Sequence, residues 1–516
     1  MRKQILSSIV LFLAISVNLF AQQQNLTEKI KRIDEICQES LELWKVPGMA
    51  IAIVTADTVV FAKGYGVCDI EKRNKVDENS VFAIASNTKT FTATAMAILV
   101  EEGKLSWDDK VVDHLPWFQL YDPYVTANIT IRDLLCHRSG LETFSGDLIW
   151  YGSNYSAQEV IERARYLKPV YGFREHFGYS NILFLTAGEI IAKVSGMSWV
   201  EFIEERFLIP LEMSRTKTST NDLTKMKNLS APHNILDDDK IIAIPYLNWD
   251  NIAPAGSMFS SATDMAKWLM LHLNKGKYKN QEIFSEEIQN EMWQMHTPQN
   301  VSLNAKNLWS STHYKGYGLG WSLSLYYGRK ICGHNGGYDG MISQSTIIPE
   351  ENLAFVILTN ANSSMYYPLM YHILDILLYK EDTNWNNLFH QFQQMQDIRA
   401  KEEKEEELQN RPKNTKASLE LEEYTGNYYS DVYGTAKISI KNKKLYFEMM
   451  ATAIFESSLE HLYHNTFQIQ FEQVPSLPEG SINFLIGANA KVYEMQVNVP
   501  NPDFDFTQTT LKNKCK

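Results

Sequence analysis

The order of hydrophobic periodicities predicts an α+β fold, an antiparallel sheet flanked by helices and interrupted by a helical insert, followed by a small all-β, barrel-like domain. Three observations carry that expectation. Strand-like alternation is present early, in Met49 to Val54 and Thr58 to Tyr65 around a Thr55-Ala56-Asp57 turn. It gives way to helices and loops as far as about Leu273, then returns in Tyr317 to Tyr326, Lys330 to His334, Met341 to Ile348 and Leu353 to Thr359. Such spacing predicts one sheet assembled from both ends of a domain. Beyond Leu419, short alternating runs such as Ala436 to Ile440 and Lys491 to Met495 predict a separate β barrel or sandwich.

The elements follow in order. Met1-Arg2-Lys3, an apolar stretch from Ile5 to Phe20, and Ala21 before Gln22-Gln23-Gln24 have the layout of a secretory signal over residues 1–21. Polar Ser7, Ser8, Ser16 and Asn18 make the stretch a poor membrane span, so no stable anchor is expected after cleavage. Glu28 to Leu43 is amphipathic, and Thr88 to Glu102 is a helix closed by Gly103, a residue suited to left-handed caps. Tyr366 to Tyr379 and Trp385 to Ile398 predict helices that cover the sheet. Arg399 to Asn414 is dominated by Lys and Glu and carries Pro412, so it reads as a solvated helix end running into a linker. The resulting division is a catalytic-sized domain over 25–395, a charged linker over 396–416 and an all-β domain over 417–516.

Composition removes several functions. The 516 residues carry a net charge of −12 with no Lys/Arg block, which excludes a phosphate-tracking surface and nucleic acid as a partner. Five cysteines, Cys37, Cys68, Cys136, Cys332 and Cys515, lack CxxC spacing and form no zinc site; Cys68 with Cys332 is one conceivable disulfide pair. There is no G-x-S-x-G elbow, no HExxH and no phosphate-cradling glycine loop, so the expectation is an enzyme without metal or cofactor.

Three short motifs could carry chemistry. Ser86-Asn87-Thr88-Lys89 opens a helix and puts a hydroxyl and an amine one turn apart on one face. A serine needs a base to become nucleophilic, and a lysine serves if burial lowers its pKa, while the first-turn NH groups can hold an oxyanion. Ser214-Arg215-Thr216-Lys217 has the same spacing but sits in a polar stretch with no apolar helix after it. Tyr179-Ser180-Asn181 points a phenol and an amide to one side of an extended segment, unless Asn181 is simply the cap of the helix that follows. His334-Asn335-Gly336-Gly337 lies at a strand end, where glycines let backbone approach a ligand.

Taken in order, these motifs resemble the serine β-lactamase and penicillin-binding-protein superfamily, in particular its class C-like esterases and peptidases, over about Glu28 to Tyr379. The resemblance implies a β-lactamase/DD-peptidase-like fold, with Ser86 as acylated nucleophile, Lys89 and Tyr179 sharing proton transfer, and Asn181 orienting the acyl side chain. It further implies that His334, Asn335 and Gly336 bind substrate and that the NH groups of Ser86 and Gly337 hold the oxyanion. Leu134 to Leu141, Pro254-Ala255-Gly256 and Tyr317 to Trp321 also look familial and are read as structural. Where many relatives carry Lys, this chain has His334, a weaker partner for a substrate carboxylate. The expected activity is therefore hydrolysis of an ester or small peptide, including D-amino-acid peptides, by an exported, periplasmic enzyme. Class C-like β-lactamase or D-Ala-D-Ala carboxypeptidase activity, and a non-catalytic peptidoglycan-binding or scaffold role, are the alternatives. The Tyr424-Thr425-Gly426-Asn427-Tyr428 segment resembles the start of lipocalin-like domains appended to this superfamily.

Overall fold

The computed structural model describes residues 26–513 apart from 237–239, 379–382, 502–503, 505 and 507–508. The signal expected over 1–21 and Cys515 lie outside them. After α1 (residues 26–43), the chain forms β1 (Gly48–Val54), β2 (Val59–Gly66), α2 (Thr88–Glu101), α3 (Asn181–Ser195) and α4 (Ala262–Leu273). Then come β3 (Thr297–Gln299), β4 (Lys315–Tyr317), β5 (Ser322–Tyr326), β6 (Arg329–Tyr338), β7 (Met341–Ile348), β8 (Leu353–Thr359), α5 (Tyr366–Leu377) and α6 (Trp385–Asn410).

One antiparallel sheet runs β2-β1-β8-β7-β6-β5-β4-β3, so the first hairpin joins the late meander through the pairing of β1 with β8. Strand β1 is buried on both faces, and its alternation explains how. Met49, Ile51 and Ile53 pack with α1 and α5, whereas small Ala50 and Ala52 turn to the other face, the side of α2 and α4. Helix α2 is buried around almost its whole circumference, which marks it as the central helix. Its threonines remain satisfied inside: Thr92 donates to the Pro254 carbonyl at 2.7 Å and Thr94 to the Thr90 carbonyl at 2.7 Å.

The second domain is a nearly closed nine-stranded antiparallel sheet from Gly426 to Asn513, and its strand nearest the sequence start, Gly426–Ser430, pairs with its last, Thr510–Asn513. Its apolar interior is continuous with the core on the α2 side of the first domain.

Four expectations change. Tyr317 to Tyr326 is not one strand, because Gly320, at φ +79°, turns the chain between β4 and β5 with a Cβ position only 2.5 Å from the Ala93 side chain. The His334 motif is not a strand end; β6 continues to Tyr338, since glycines at 336 and 337 keep the ladder opposite Ser343 and Ile342. Helix α6 runs to Asn410, beyond Ile398, because Lys and Glu are strong helix formers even with nothing to bury. Finally, Cys37, Cys68, Cys136 and Cys332 are free buried thiols, so Cys68 and Cys332 do not pair; Cys68 instead lies against Ser80 and Asn228.

Candidate active site

The segment before Ser86 is a short strand, Val81–Ala83, paired with Phe259–Ser261. It leads through Ala85, held at φ +43°, into a single 3-10 turn and then α2. A left-handed alanine is strained backbone, and here it presents the partly exposed Ser86 at the head of a buried helix. Ser86 does not cap that helix; Asn87 occupies the cap position.

Lys89 is fully buried, with its amine 3.0 Å from Ser86 Oγ, 2.6 Å from Asn181 Oδ1 and 2.8 Å from the Ala255 carbonyl. Burial holds its pKa well below that of an ordinary lysine, while the charge of Asp147 works in the opposite direction. Tyr179 hydrogen-bonds Ser86, and burial raises its hydroxyl above the usual phenol range. The ring of Tyr179 also sits under the amine, its centroid 4.7 Å from Lys89 Nζ.

The cap of α3 is Ser180, whose hydroxyl accepts from the Leu183 NH, so Asn181 is free for the cleft. Asn181 Nδ2 donates to Asp147 Oδ2 at 2.7 Å, and Trp150 Nε1 donates to Asp147 Oδ1 at 2.8 Å. This carboxylate fixes the amide so that its oxygen faces Lys89.

Strand β6 brings the third motif against the same place. A Cβ on Gly336 would lie 2.2 Å from the Ile84 carbonyl oxygen and 2.8 Å from the Ser86 nitrogen, so only glycine lets β6 approach the turn. His334 Nδ1 donates to the Asn335 carbonyl at 2.5 Å, which leaves Nε2 to accept from the Tyr317 hydroxyl at 2.7 Å. Burial, with Lys89 nearby, pushes His334 down to about 3, so it is neutral at physiological pH. Asn335 is exposed on the opposite side of the strand. Gly337 lines the cavity that holds Ser86, Tyr179, Asn181 and His334.

The structure thus brings Ser86, Lys89, Tyr179, Asn181, His334, Gly336 and Gly337 together; Asn335 lines the same cavity but projects from the face of β6 opposite His334, its Nδ2 3.5 Å from the Tyr366 hydroxyl. It also adds groups that the motifs did not supply: the Ala255 carbonyl, the Tyr317 hydroxyl, Asp147 and His137. His137 accepts from the Ser180 NH at 3.1 Å and packs its ring 4.4 Å from that of Tyr179. Three of these lie in stretches visible as familial but read as structural, whereas no pattern in the sequence singles out Asp147. Among the described residues no cluster of His, Cys, Asp and Glu could hold a metal ion.

A beta-lactamase family model matches residues 34–376, about two thirds of the chain and all of the site just described. The chain belongs to the beta-lactamase family. As a member, it is a β-lactamase-like hydrolase of the serine class. Residues 410–513, the barrel, match a domain model of unknown function. Among related proteins, an unguisins hydrolase of Aspergillus campestris is 27% identical over 426 residues, covering 77% of this chain and 76% of the relative. The protein Flp of Staphylococcus aureus is 29% identical over 353 residues, covering 66% of this chain and 65% of the relative. The octameric penicillin-binding protein homologue of Pyrococcus abyssi superposes with a TM-score of 0.62 at 23% identity, over 92% of this chain and 98% of that one, and so shares the fold.

Proposed function

We propose that the protein hydrolyses an amide or ester through an acyl-enzyme on Ser86, and that Lys89 is the base. The observation that supports this reading best is the set of partners around the buried amine. A neutral amine has two hydrogens and one lone pair; Asn181 Oδ1 and the Ala255 carbonyl can take the hydrogens, leaving the lone pair for the Ser86 hydroxyl 3.0 Å away. Tyr179, kept protonated by burial, is suited to pass a proton to the leaving group.

In this sequence Ser86 Oγ attacks the carbonyl carbon as its proton moves to Lys89. The oxyanion forms between the NH groups of Ser86 and Gly337, and the leaving group departs with a proton delivered through Tyr179. Water then attacks the ester, again losing a proton to Lys89, and Ser86 is released. Asn181 orients the acyl portion. Neutral His334 braces β6 and offers no fixed positive charge to a substrate carboxylate, which favours an ester or peptide over β-lactams and D-Ala-D-Ala. The residues at 1–21 further support export to the periplasm.

Intact mass spectrometry after treatment with a fluorophosphonate tests the central step. One adduct is expected, mapped to Ser86 and missing in Ser86→Ala; an adduct on Ser214, or none, rejects the mechanism and leaves the binding role as the better reading. Rapid steady-state turnover of nitrocefin would reverse the substrate ranking.

A further inference from the structure

The cavity that opens onto Ser86 is not confined to the hydrolase domain. Its volume is about 2240 Å³, well above the ~300–1,000 Å³ common for small-molecule pockets, and its walls include Leu477 and Phe504 of the barrel. Two sets of contacts bring the barrel to the rim. Asp339, two residues beyond Gly337, accepts from the Tyr151 hydroxyl at 2.9 Å and from the barrel's Ser476 hydroxyl at 3.0 Å. The Phe504 ring stands 4.3 Å from that of Tyr151 and 6.4 Å from that of Trp150.

Around this corner the rings continue. Trp249 lies 5.1 Å from Trp150 and 4.6 Å from Tyr338, the residue following Gly337. Phe504 is only half-buried, so part of its ring faces the cavity. Among the exposed cations of the wall, Lys401 and Lys404 belong to α6 and Lys45 to the turn before β1, none of them to this corner. Aromatic walls recognise apolar and aromatic groups, and the two carboxylates at this corner, Asp147 and Asp339, are taken up by hydrogen bonds from Trp150, Asn181, Tyr151 and Ser476. Trp150 also holds the Asp147 carboxylate that orients Asn181, which places the corner beside the residue assigned to the acyl portion.

We propose that the barrel completes the substrate site: Phe504 and Leu477, with Trp150, Trp249 and Tyr338 and backed by the fully buried Tyr151, form a subsite for an aromatic or bulky apolar group on the acyl side of the substrate, as in a hydrophobic peptide. The proposal rests on the hydrolase reading for its orientation. It makes the second domain a determinant of specificity, built across a domain boundary.

Two p-nitrophenyl esters with one leaving group, the acetate and the 4-phenylbutyrate, test it in the full-length protein. Phe504→Ala is expected to raise KM for the phenylbutyrate about tenfold and leave the acetate parameters within about twofold. Phe504→Leu should recover part of the loss. Binding of 4-phenylbutyrate to Ser86→Ala, read by quenching of intrinsic tryptophan fluorescence, should weaken about tenfold when Phe504→Ala is added. Equal losses on both esters would overturn the proposal, because Phe504 would then act only by propping Trp150. Unchanged phenylbutyrate kinetics and binding would overturn it as well. Failure of the hydrolase reading is distinguishable: neither ester would be cleaved in a Ser86-dependent way, while the binding comparison would still report on the subsite.

Discussion

Ser86 to Lys89 and Ser214 to Lys217 share one spacing and flank one short strand, yet only the first builds a site. Val81–Ala83, leading to Ser86, pairs with Phe259–Ser261, and Lys217 bridges Phe259 from the other side, with backbone bonds of 2.9 and 2.8 Å in the two directions. After Ser86 the chain turns into helix, so positions 86 and 89 stack on one face and the amine is buried. After Ser214 the chain makes a single turn, closed by the Thr216 NH on the Met213 carbonyl at 3.1 Å, and then bridges at Lys217 without entering a helix; Ser214 is exposed. Spacing therefore acquires chemical meaning only from the backbone conformation and the burial around it.

The sharpest way to break this contrast is to remove the two hydroxyls. Ser86→Ala should lower kcat/KM for p-nitrophenyl acetate by roughly 10⁴-fold or more, whereas Ser214→Ala should stay within about twofold. A comparable loss in both would overturn the contrast, since the spacing would then carry the chemistry whatever the backbone and burial around it.

Much of this was legible without coordinates because local rules and tertiary structure agree. The sheet assembled from both ends followed from alternation in Met49 to Val54 and Leu353 to Thr359, two runs that do pair. The three motifs were legible because each holds its reactive groups within a few residues. Asp147 was not, since it lies 34 positions from the Asn181 amide that it holds. The same limit hid Tyr317, whose hydroxyl meets His334 only once β4, β5 and β6 are laid side by side. The strand end expected at His334 fails for another reason: consecutive glycines weaken the strand pattern, yet here they stay in the ladder and clear space for Ile84 and Ser86.

The two lysines sharpen the comparison next. Lys89→Met should cost about 10³-fold in kcat/KM by removing the base, with near-ultraviolet circular dichroism confirming the fold. Lys217→Met should be close to silent on activity. A smaller effect is expected from Gly336→Ala, since the new methyl must push β6 away from the Ile84 carbonyl. A misplacement of the oxyanion donors by about 1 Å predicts a loss on the order of 100-fold in kcat with little change in KM. Thermal unfolding should register the strain as a lower Tm.

Each Ser-x-x-Lys stretch also leans on a buried aspartate, and the last and smallest effect separates their roles. Asp264 Oδ2 accepts from the backbone NH groups of Arg215 and Thr216 at 2.8 and 3.0 Å, so it holds chain conformation. Asp147 acts on the first stretch through the Asn181 amide and through its charge. Asp264→Asn should therefore cost stability, about 1.5–3 kcal/mol from weakened charge-assisted bonds, and leave the pH profile of kcat/KM in place. Asp147→Asn should lower kcat/KM about tenfold, less than the roughly 100-fold or more expected for a proton-transfer residue itself, because the amide of Asn181 loses its fixed orientation. It should also move the acid limb. The carboxylate favours protonated Lys89, so its removal lowers the Lys89 pKa further, and a larger fraction of the base is free at a given acidic pH. The acid limb must then shift to lower pH. His334 does not confuse this reading, since burial already holds it down to about 3. An unmoved limb in Asp147→Asn, or a shifted one in Asp264→Asn, would show that the two carboxylates do not divide the work between conformation and proton affinity.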